Sequence, residues 1–485
     1  MNFNSINFLI LFLPIFILAY VIASPKLKNL VILVASIVFF AFNQVYFLPL
    51  MLVLILGNYN LAKAIDRTSD QEKKKHILLL TGCGIDLVLL LLFKVLATYG
   101  MGWLPKGLPA TQVSLVSQYL IPMGFSYIVF QLISYLVDVY NGICECEKSL
   151  YHFMLYVMMF PKIVVGPIVR YRDLAGPIKE RQSGSQDIAD GARRFIQGLI
   201  KKTLIADTIA ATINPAFALS TPNFPTWIAW FVLIGYAIQI YFDFSGFTDM
   251  AIGLGQMLGF RFMENFNYPY ISKSVAEFWR RWHISLSTWF REYVFYPLEF
   301  SRRKFKFLVQ PLNILIVFLL VGLWHGLTLN FFIWGGVHGL ALAVEATVLG
   351  KWLNKLWKPL QHIYTLALIL VGWVFFRSAS PAYAIAFFAR LVGLGGAITP
   401  LPFSVTRPLP IIDPSVWLAL GLGIIFSLPV VPWFRKLWDR IMAKDAVGQV
   451  VGWLGPDLLL LAFLILSFAA IVSRATVITS IYSKF

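Results

Sequence analysis

Three histidines lie within or next to long apolar stretches of the sequence. His325 ends an apolar run in the string LVGLWHG at 320–326, His338 follows in WGGVHG at 334–339, and His283 lies in a segment rich in aromatic residues. A polar side chain at membrane depth is costly, so each is a functional candidate by default. A neutral imidazole can take a proton from a hydroxyl group, which suits attack of an alcohol on an ester or thioester carbonyl.

Each histidine also has a plain structural explanation. His325 could hydrogen-bond a neighbouring helix, and His283 could be an ordinary interfacial residue on an aromatic helix. His338 lies between Gly335 and Gly339, whose spacing favours close helix packing, so we interpret it as a residue that fills a gap. His325 is therefore the first candidate for catalysis and His283 the second.

The segment around His283 has the periodicity of a helix. Apolar residues recur at intervals of three and four, and two neighbouring stripes together form a wide aromatic face: Phe278, Trp282, Leu286, Trp289 and Tyr293, and then Trp279, His283, Leu286 and Phe290. Glu277 and Arg281 are four residues apart and can pair. The pattern predicts a helix that lies along the membrane interface or dips into it, within an amphipathic or re-entrant segment spanning 246–300.

Further residues could support a reaction at these histidines. Trp279, Trp282 and Trp324 are expected to wall a substrate tunnel. The indole N–H of Trp324 and the guanidinium groups of Arg280 and Arg281 are donors that could stabilise developing negative charge.

Two acidic residues and an amide lie near the same segment. We expect Asp243 and Asp249, beside an apolar run, to pair with the arginines of the amphipathic helix and fix its pose. They could alternatively line a polar vestibule. Asn267, in the string GFRFMENFN at 259–267, is a further candidate for substrate support.

Composition places the chain in a lipid bilayer. Of its 485 residues, 59% are hydrophobic and only 13% are charged, about half the charged fraction of an ordinary soluble domain. The net charge is +17, and the basic residues fall in short clusters between apolar runs, such as Lys73–Lys75 and Lys201–Lys202. This distribution is typical of cytoplasmic loops that follow the positive-inside rule, so no nucleic-acid partner is expected.

The apolar runs predict an all-α polytopic membrane protein. Roughly ten to thirteen transmembrane helices are expected, with some shorter runs forming re-entrant or interfacial helices. The first run, Phe8–Ala23, is interpreted as a transmembrane helix, since no basic region precedes it. No long polar linker divides the chain, so we expect one membrane domain over 1–485 with a catalytic core over 110–350.

Several other kinds of chemistry are disfavoured. The three cysteines, Cys83, Cys144 and Cys146, are too few for a disulfide framework, and no metal site is expected from the CxC spacing. The sequence contains no GKS or GKT phosphate-binding motif, so ATP-driven transport by this chain alone is not expected.

Long ordered strings carry a resemblance to a known family. FWRRWHISLSTW at 278–289 is followed, 42 residues from its histidine, by GLWHG at 322–326, and YFDFSG at 241–246 and FPKIVVGPI at 160–168 belong to the same pattern. Together they resemble the membrane-bound O-acyltransferase (MBOAT) family, and in particular its bacterial branch that O-acetylates extracellular polysaccharides such as alginate. One departure is Glu292, where the family pattern has an aspartate.

The resemblance implies a ring of helices around a central funnel, with His325 as the essential histidine of the family and His283 as its second. It implies transfer of an acyl group, here acetyl, from a cytoplasmic thioester such as acetyl-CoA or an acyl carrier protein, with no tightly bound cofactor. The acceptor would be modified with the help of an extracytoplasmic SGNH-type acetyltransferase, at a bacterial inner membrane. D-alanyl transfer to teichoic acid, and non-enzymatic transport of a polysaccharide or lipid, remain as alternatives.

Overall fold

The computed structural model describes residues 1–68, 71–103, 120–181, 184–302, 309–395, 412–442 and 446–474. Almost all of this described part is helical, and its single β-type pairing is an isolated antiparallel bridge between Phe266 and Trp282. The prediction of an all-α polytopic membrane protein is confirmed. The chain divides into two compact units.

The first unit comprises Met1–Phe195 and Met250–Met263 in the described part. After a π-helical turn at Asn7–Phe12, its helices are α1 (Leu13–Ile22), α2 (Lys28–Gln44), α3 (Leu48–Arg67), α4 (Glu72–Tyr99), α5 (Phe125–Tyr140), α6 (Leu150–Met158), α7 (Phe160–Ile163), α8 (Tyr171–Lys179) and the first part of α9 (Ser185–Ile200).

Aromatic packing and a few buried polar pairs hold the first unit together. Phe8, Phe39 and Phe160 form a cluster with ring centroids 5.5 to 6.4 Å apart. Asn58 of α3 donates a hydrogen bond of 3.0 Å to the buried carboxylate of Asp86 in α4. Such a hydrogen bond between buried polar groups links two apolar helices.

The second unit comprises Ile196–Asp249 and the described residues from Glu264 onward. Its first helices are the end of α9, α10 (Asp207–Phe217), most of α11 (Thr226–Met257), α12 (Val275–Arg281), α13 (Ile284–Phe290) and α14 (Tyr296–Ser301). The chain continues through α15 (Val309–His325), α16 (Leu329–Glu345), α17 (Val348–Leu353), α18 (Lys358–Arg377), α19 (Pro381–Leu391), α20 (Pro414–Phe426), α21 (Val430–Met442) and α22 (Ala446–Ser473).

Small residues allow α15 and α16 to pack closely as an antiparallel pair. A Cβ added to Gly322 would lie 2.4 Å from the carbonyl oxygen of Phe331, and one added to Gly335 would lie 2.4 Å from that of Phe318. Gly339 is similarly confined, with neighbouring atoms 3.0 Å from an added Cβ. The close packing predicted from the spacing of Gly335 and Gly339 is confirmed.

Within the described ranges, five helical segments are long and apolar enough to cross a membrane: Lys28–Arg67, Glu72–Trp103, Thr226–Met257, Lys358–Arg377 and Leu454–Ser473. A sixth crossing is possible where Pro414–Phe426 and Val430–Met442 meet at a bend of 76°. Five further apolar helices are shorter, among them α15 and α16. Helices this short can tilt, pair end to end or re-enter, so the number of ten to thirteen crossings stays a prediction.

The long helix α11 corrects one predicted boundary. The sequence suggested that the amphipathic segment starts at Gly246, but α11 continues without a break to Met257. Residues 246–257 therefore belong to a helix of spanning length, and the irregular segment starts only after it.

Candidate active site

His325 is the last residue of α15 and lies in an aromatic cage. Its side chain is buried, and its ring centroid lies 4.6 Å from that of Trp324, 5.0 Å from that of Trp334 and 5.1 Å from that of Phe376. These neighbours come from α15, α16 and α18. All three centroids lie within about 6 Å of the imidazole, the range over which an aromatic π system can attract a cation.

The close contact between α15 and α16 places this cage. Gly322 and Gly335 let the two backbones approach, which brings Trp334 of α16 against His325 at the end of α15. The helix ends at Gly326, where an added Cβ would lie 2.5 Å from the ring of Phe331. Glycines at these positions therefore set the geometry around His325.

His283 does not lie within a helix, contrary to the sequence prediction. The predicted continuous helix over Phe278–Tyr293 is broken into α12 and α13, and His283 between them has a φ of 45°, in the left-handed region. This conformation is strained for a residue with a side chain, by about 1–3 kcal/mol. Periodicity did not reveal the break because the same aromatic spacing continues through it.

Asn265 holds His283 in this conformation. The side-chain oxygen of Asn265 accepts hydrogen bonds from the backbone N–H of Ser285 at 3.0 Å and from its hydroxyl at 2.9 Å, and it lies 3.1 Å from Nδ1 of His283. Because Ser285 N–H requires an acceptor there, Nδ1 of His283 carries the proton and donates to the same oxygen. The lone pair of the ring is then on Nε2, the nitrogen that can act as a base.

The segment 265–267 runs antiparallel to the break between α12 and α13. Asn265 also accepts the backbone N–H of Ile284 through its carbonyl oxygen, at 3.0 Å, and the backbone N–H of Asn267 donates to Arg281 at 2.9 Å. The side chain of Asn267 is exposed. Asn267, the predicted support residue, thus contributes backbone contacts, whereas Asn265 two residues earlier is the side chain that contacts His283.

Trp324 brings the two predicted histidines into one site. Its ring centroid is 6.3 Å from that of His283 and 4.6 Å from that of His325. Phe244 of α11 packs edge-on against His283 with centroids 4.6 Å apart. The two histidines that the sequence paired across 42 residues therefore share an aromatic neighbour, and Asn265, Ser285 and Phe376 are site residues that sequence reasoning missed.

The other two predicted tryptophans face different neighbours. Trp282 is buried against Phe278, Phe266 and Trp373, with ring centroids 5.0 to 5.5 Å away. Trp279 instead contacts His338 at 5.3 Å and Trp334 at 5.8 Å. Trp279 thus reaches the cage of His325 through Trp334, while Trp282 anchors the turn that carries His283.

The start of α12 is fixed by carboxylates. Glu345 of α16 accepts the backbone N–H groups of Val275 and Ala276 at 2.7 and 2.8 Å. Glu277 accepts the N–H of Lys273 and pairs with Arg281 at 2.9 Å, which confirms the predicted pair. Burial alone would raise the pKa of Glu277, but these hydrogen bonds and the Arg281 charge hold its pKa below the ordinary value.

Asp243 and Asp249 pair with lysines, not with the arginines that we expected. Lys202 is buried and lies 2.6 Å from both Asp243 and Asp207, and Lys201 lies 2.6 Å from Asp249. Arg281 is directed to Glu277, and Arg280 is exposed. Lys201 and Lys202 belong to a basic cluster that we interpreted as part of a cytoplasmic loop. The sequence therefore did not indicate that Lys202 is buried.

His338 and its neighbours include ring nitrogens that lack hydrogen bonds. Both nitrogens of His338 and the indole nitrogens of Trp279 and Trp334 are buried, and none has a partner within the described residues. An added Cβ on Gly372 of α18 would lie 2.4 Å from Nε2 of His338, so this glycine makes room for the imidazole. The packing role predicted for His338 fits this tight environment.

A cavity of about 430 Å³ lies beside the cage, between α12, α13, α15 and α16. Its lining is mainly apolar and includes Trp279, Val317 and Val321, together with Arg280 and Arg291. Its described lining includes no histidine. The described residues contain no group of three or more His, Cys, Asp or Glu that could hold a metal ion.

Comparisons with known proteins agree on the family. The sequence profile of the MBOAT, membrane-bound O-acyltransferase family matches residues 147–384. A probable alginate O-acetylase AlgI of Pseudomonas putida is 40% identical over 81% of this chain and 81% of its own length. A peptidoglycan O-acetyltransferase of Helicobacter pylori is 34% identical over 81% of this chain and 80% of its own length.

A third relative is more distant. The teichoic acid D-alanyltransferase of Bacillus subtilis is 30% identical, over 52% of this chain and 66% of its own length. All three relatives are acyl-transferring proteins by name, and His283, Trp324 and His325 lie inside the region that the family profile matches. The chain therefore belongs to the membrane-bound O-acyltransferase family and is a multi-pass membrane O-acyltransferase.

Proposed function

We propose that this protein moves an acetyl group from a cytoplasmic thioester donor across the membrane for O-acetylation of an extracellular polysaccharide such as alginate. The observation that carries the proposal is the shared aromatic site of His283, Trp324 and His325. The similarity to alginate O-acetylases, which covers four-fifths of both chains, supports acetyl and a polysaccharide over other acyl groups and acceptors. The bacterial inner membrane is the corresponding location.

The chemistry requires a base and a water-poor site. A neutral imidazole of His325 takes the proton of the acceptor hydroxyl while the hydroxyl oxygen forms a bond to the thioester carbonyl carbon. The carbon–sulfur bond then breaks, and the thiolate leaves with the proton that His325 returns. The imidazolium formed in between is stabilised by the π systems of Trp324, Trp334 and Phe376 around it.

His283 is assigned an assisting role. The hydrogen bond of its Nδ1 to Asn265 directs the basic Nε2 away from that amide, and the strained turn holds the ring against Trp324. A fixed second imidazole can orient the hydroxyl or the thioester carbonyl so that reacting atoms start close together. The donor would be acetyl-CoA or an acyl carrier protein, and an SGNH-type acetyltransferase outside the membrane would complete transfer to the polymer.

The decisive experiment compares His325→Ala with wild type in membranes of a cell that lacks its own copy of the protein. General-base removal lowers the rate by about 10²–10⁴-fold, so we expect acetylation of the polymer to fall to background. His76→Ala, a histidine far along the chain on α4, serves as the matched control and is expected to acetylate normally. Normal acetylation by a His325→Ala protein present at wild-type levels in the membrane would refute the assignment.

A second measurement separates acetylation from D-alanyl transfer and from transport without chemistry. Membranes containing the protein are supplied with acetyl-CoA, or with a D-alanyl carrier protein, each labelled in the acyl group. We expect label from the acetyl thioester in an ester-linked product, and none from the D-alanyl donor. Release of free thiol without any ester product, in the presence of the partner acetyltransferase and the polymer, would contradict the proposal.

A further inference from the structure

The cavity beside the aromatic cage has an apolar interior. It lies within the second unit, between α12, α13, the π-helical turn Arg291–Phe295, α15 and α16, and its volume is about 430 Å³. Leu286, Val317 and Val321 on its lining are nearly inaccessible to solvent. Water makes few hydrogen bonds to such walls, so the interior favours an apolar occupant.

The polar groups of the cavity are cationic or hydroxylic. Arg280 and Arg291 line it and are exposed, which places them at its open side, and Ser287 and Thr288 add two hydroxyl groups. No acidic residue is among the described lining residues. Arg291 donates a long hydrogen bond of 3.3 Å to Thr288, and neither arginine has a carboxylate partner within the described ranges.

The neighbouring arginine shows the contrast. Arg281 follows Arg280 directly, but it pairs with Glu277 at 2.9 Å and with the carbonyl oxygen of Asn267 at 3.0 Å. Arg280 and Arg291 instead leave two positive charges at the edge of an apolar space. A guanidinium group presents paired N–H donors that match the oxygens of a phosphate.

We propose that this cavity binds an anionic phospholipid, with one acyl chain in the apolar interior and the phosphate at Arg280 and Arg291. Lipid is the apolar medium that surrounds a multi-pass membrane protein, and a negatively charged headgroup complements the cations of Arg280 and Arg291. A phosphate-bearing thioester donor shares this chemistry. It must, however, present its carbonyl to His325, and no histidine is among the described residues that line this cavity.

The lipid would act on the active site through Trp279. An acyl chain in the cavity contacts the indole of Trp279, whose ring centroid is 5.8 Å from that of Trp334, and Trp334 in turn packs against His325. A filled cavity holds Trp279 in this position, because a void beside it would forfeit the same packing contacts. We therefore expect acetyl transfer to depend on the anionic lipid.

Binding is measured by native mass spectrometry of the full-length protein in a neutral detergent. Phosphatidylglycerol and phosphatidylcholine with identical chains are titrated separately. The double variant Arg280→Gln/Arg291→Gln is compared with Arg435→Gln/Arg440→Gln, which removes the same charge from two exposed arginines of α21 that do not line the cavity. Val317→Phe fills the interior without changing the charge.

Wild type is expected to prefer phosphatidylglycerol. Its apparent affinity should fall at least about tenfold in the Arg280/Arg291 variant and in Val317→Phe, and stay within about twofold in the Arg435/Arg440 variant. Val317→Phe also tests the site if the arginine variant fails to elute as a folded protein. Equal affinity of wild type for both lipids, or equal loss in the two arginine variants, would overturn the proposal.

A competition experiment distinguishes the lipid from the acyl donor. Coenzyme A is added to the protein loaded with phosphatidylglycerol, and the bound lipid is counted again. We expect no displacement, because the lipid cavity and the reacting site are separate. Displacement by coenzyme A would assign the cavity to the donor and refute the lipid site, while leaving the proposed acetyl transfer intact.

Discussion

The second unit buries polar groups in two different ways. In the charged network, Lys202 lies 2.6 Å from Asp207 and from Asp243, and Arg474 lies 3.3 Å from Asp207, so two cations balance two anions. In the aromatic cluster of Trp279, Trp334 and His338, the ring nitrogens have no hydrogen-bond partner among the described residues. The first arrangement satisfies its own charges, and the second does not satisfy its polar atoms.

The two arrangements should respond differently to substitution. Removing one partner of a buried ion pair leaves the other charge buried and uncompensated, which strongly lowers the free energy of unfolding. We therefore expect the residues of the charged network to be needed for the fold. An unsatisfied buried donor costs about 1–3 kcal/mol, so replacing it by an apolar group costs little or even stabilises. The aromatic cluster contacts the cage of His325 through Trp334, which places its unsatisfied groups next to the candidate active site.

The largest expected effect is on the charged network. Lys202→Ala removes the cation that lies 2.6 Å from both Asp207 and Asp243, and we expect a loss of about 3–5 kcal/mol in the free energy of unfolding. Thermal unfolding of the purified protein in detergent measures it. Lys201→Ala, whose lysine is one-third exposed and whose ion pair is with Asp249, is the matched control and should cost far less. A Lys202→Ala protein as stable as wild type would show that the network does not hold the fold.

Asn265 tests the link between a buried polar group and catalysis. Asn265→Ala removes the acceptor for Nδ1 of His283 and for Ser285, so the imidazole loses its fixed orientation. We expect acetyl transfer to fall about 10–100-fold, since small displacements of reacting groups have effects of this size. Initial rates with a labelled acetyl thioester measure it.

The control for that prediction lies two residues away. Asn267 uses backbone groups in its contacts with Arg281 and exposes its side chain, so Asn267→Ala should keep most of the activity. Equal losses in the two asparagine variants would mean that the segment 265–267 acts only as a structural strand. The orientation of His283 would then have no separate role.

His338→Phe tests the opposite side of the comparison. The phenyl ring keeps the packing against Trp279 and Trp334 and removes two unsatisfied nitrogens, so stability should stay constant or rise by about 1 kcal/mol. Thermal unfolding in detergent is again the measurement. A loss as large as that of Lys202→Ala would show that His338 has a hydrogen-bond partner, and the two regions would no longer differ.

The smallest effect concerns an ion pair near the surface. The pKa of Glu277 is lowered in the folded protein, so its carboxylate stabilises the fold above the ordinary glutamate pKa, and this contribution is lost as the pH falls through the lowered value. Glu277→Gln should therefore cost less than about 1 kcal/mol at pH 7 and almost nothing in strong acid. Melting temperatures of both proteins across this pH range provide the test, and a pH-independent difference would contradict it.

Motifs and local spacing were informative about single residues. The strings around His283 and His325 identified the family, and the glycines near His338 predicted close helix packing, since these signals depend on neighbours within a few residues. The structure shows that packing between α15 and α16. The i,i+4 pair of Glu277 and Arg281 was found for the same reason. The partners of Asp243 and Asp249 were missed, because the lysines that pair with them are 41 and 48 residues away.

The sequence by itself determined the class of the protein. An apolar composition requires a lipid environment, where the backbone must satisfy its own hydrogen bonds, and the long apolar runs of the sequence predict that it does so as membrane-spanning helices. The choice of His325 and His283 also came from the sequence, through the cost of burying a polar side chain.

Only the tertiary structure decided how these residues act. A periodic aromatic pattern is the same for one helix or for two helices separated by a turn, so the break at His283 depends on Asn265 reaching it from another segment. The cage around His325 likewise draws on three helices that no local pattern connects. Contacts between distant segments determine which of several locally equivalent conformations the chain adopts. The arrangement of the site could therefore not be predicted from local sequence patterns.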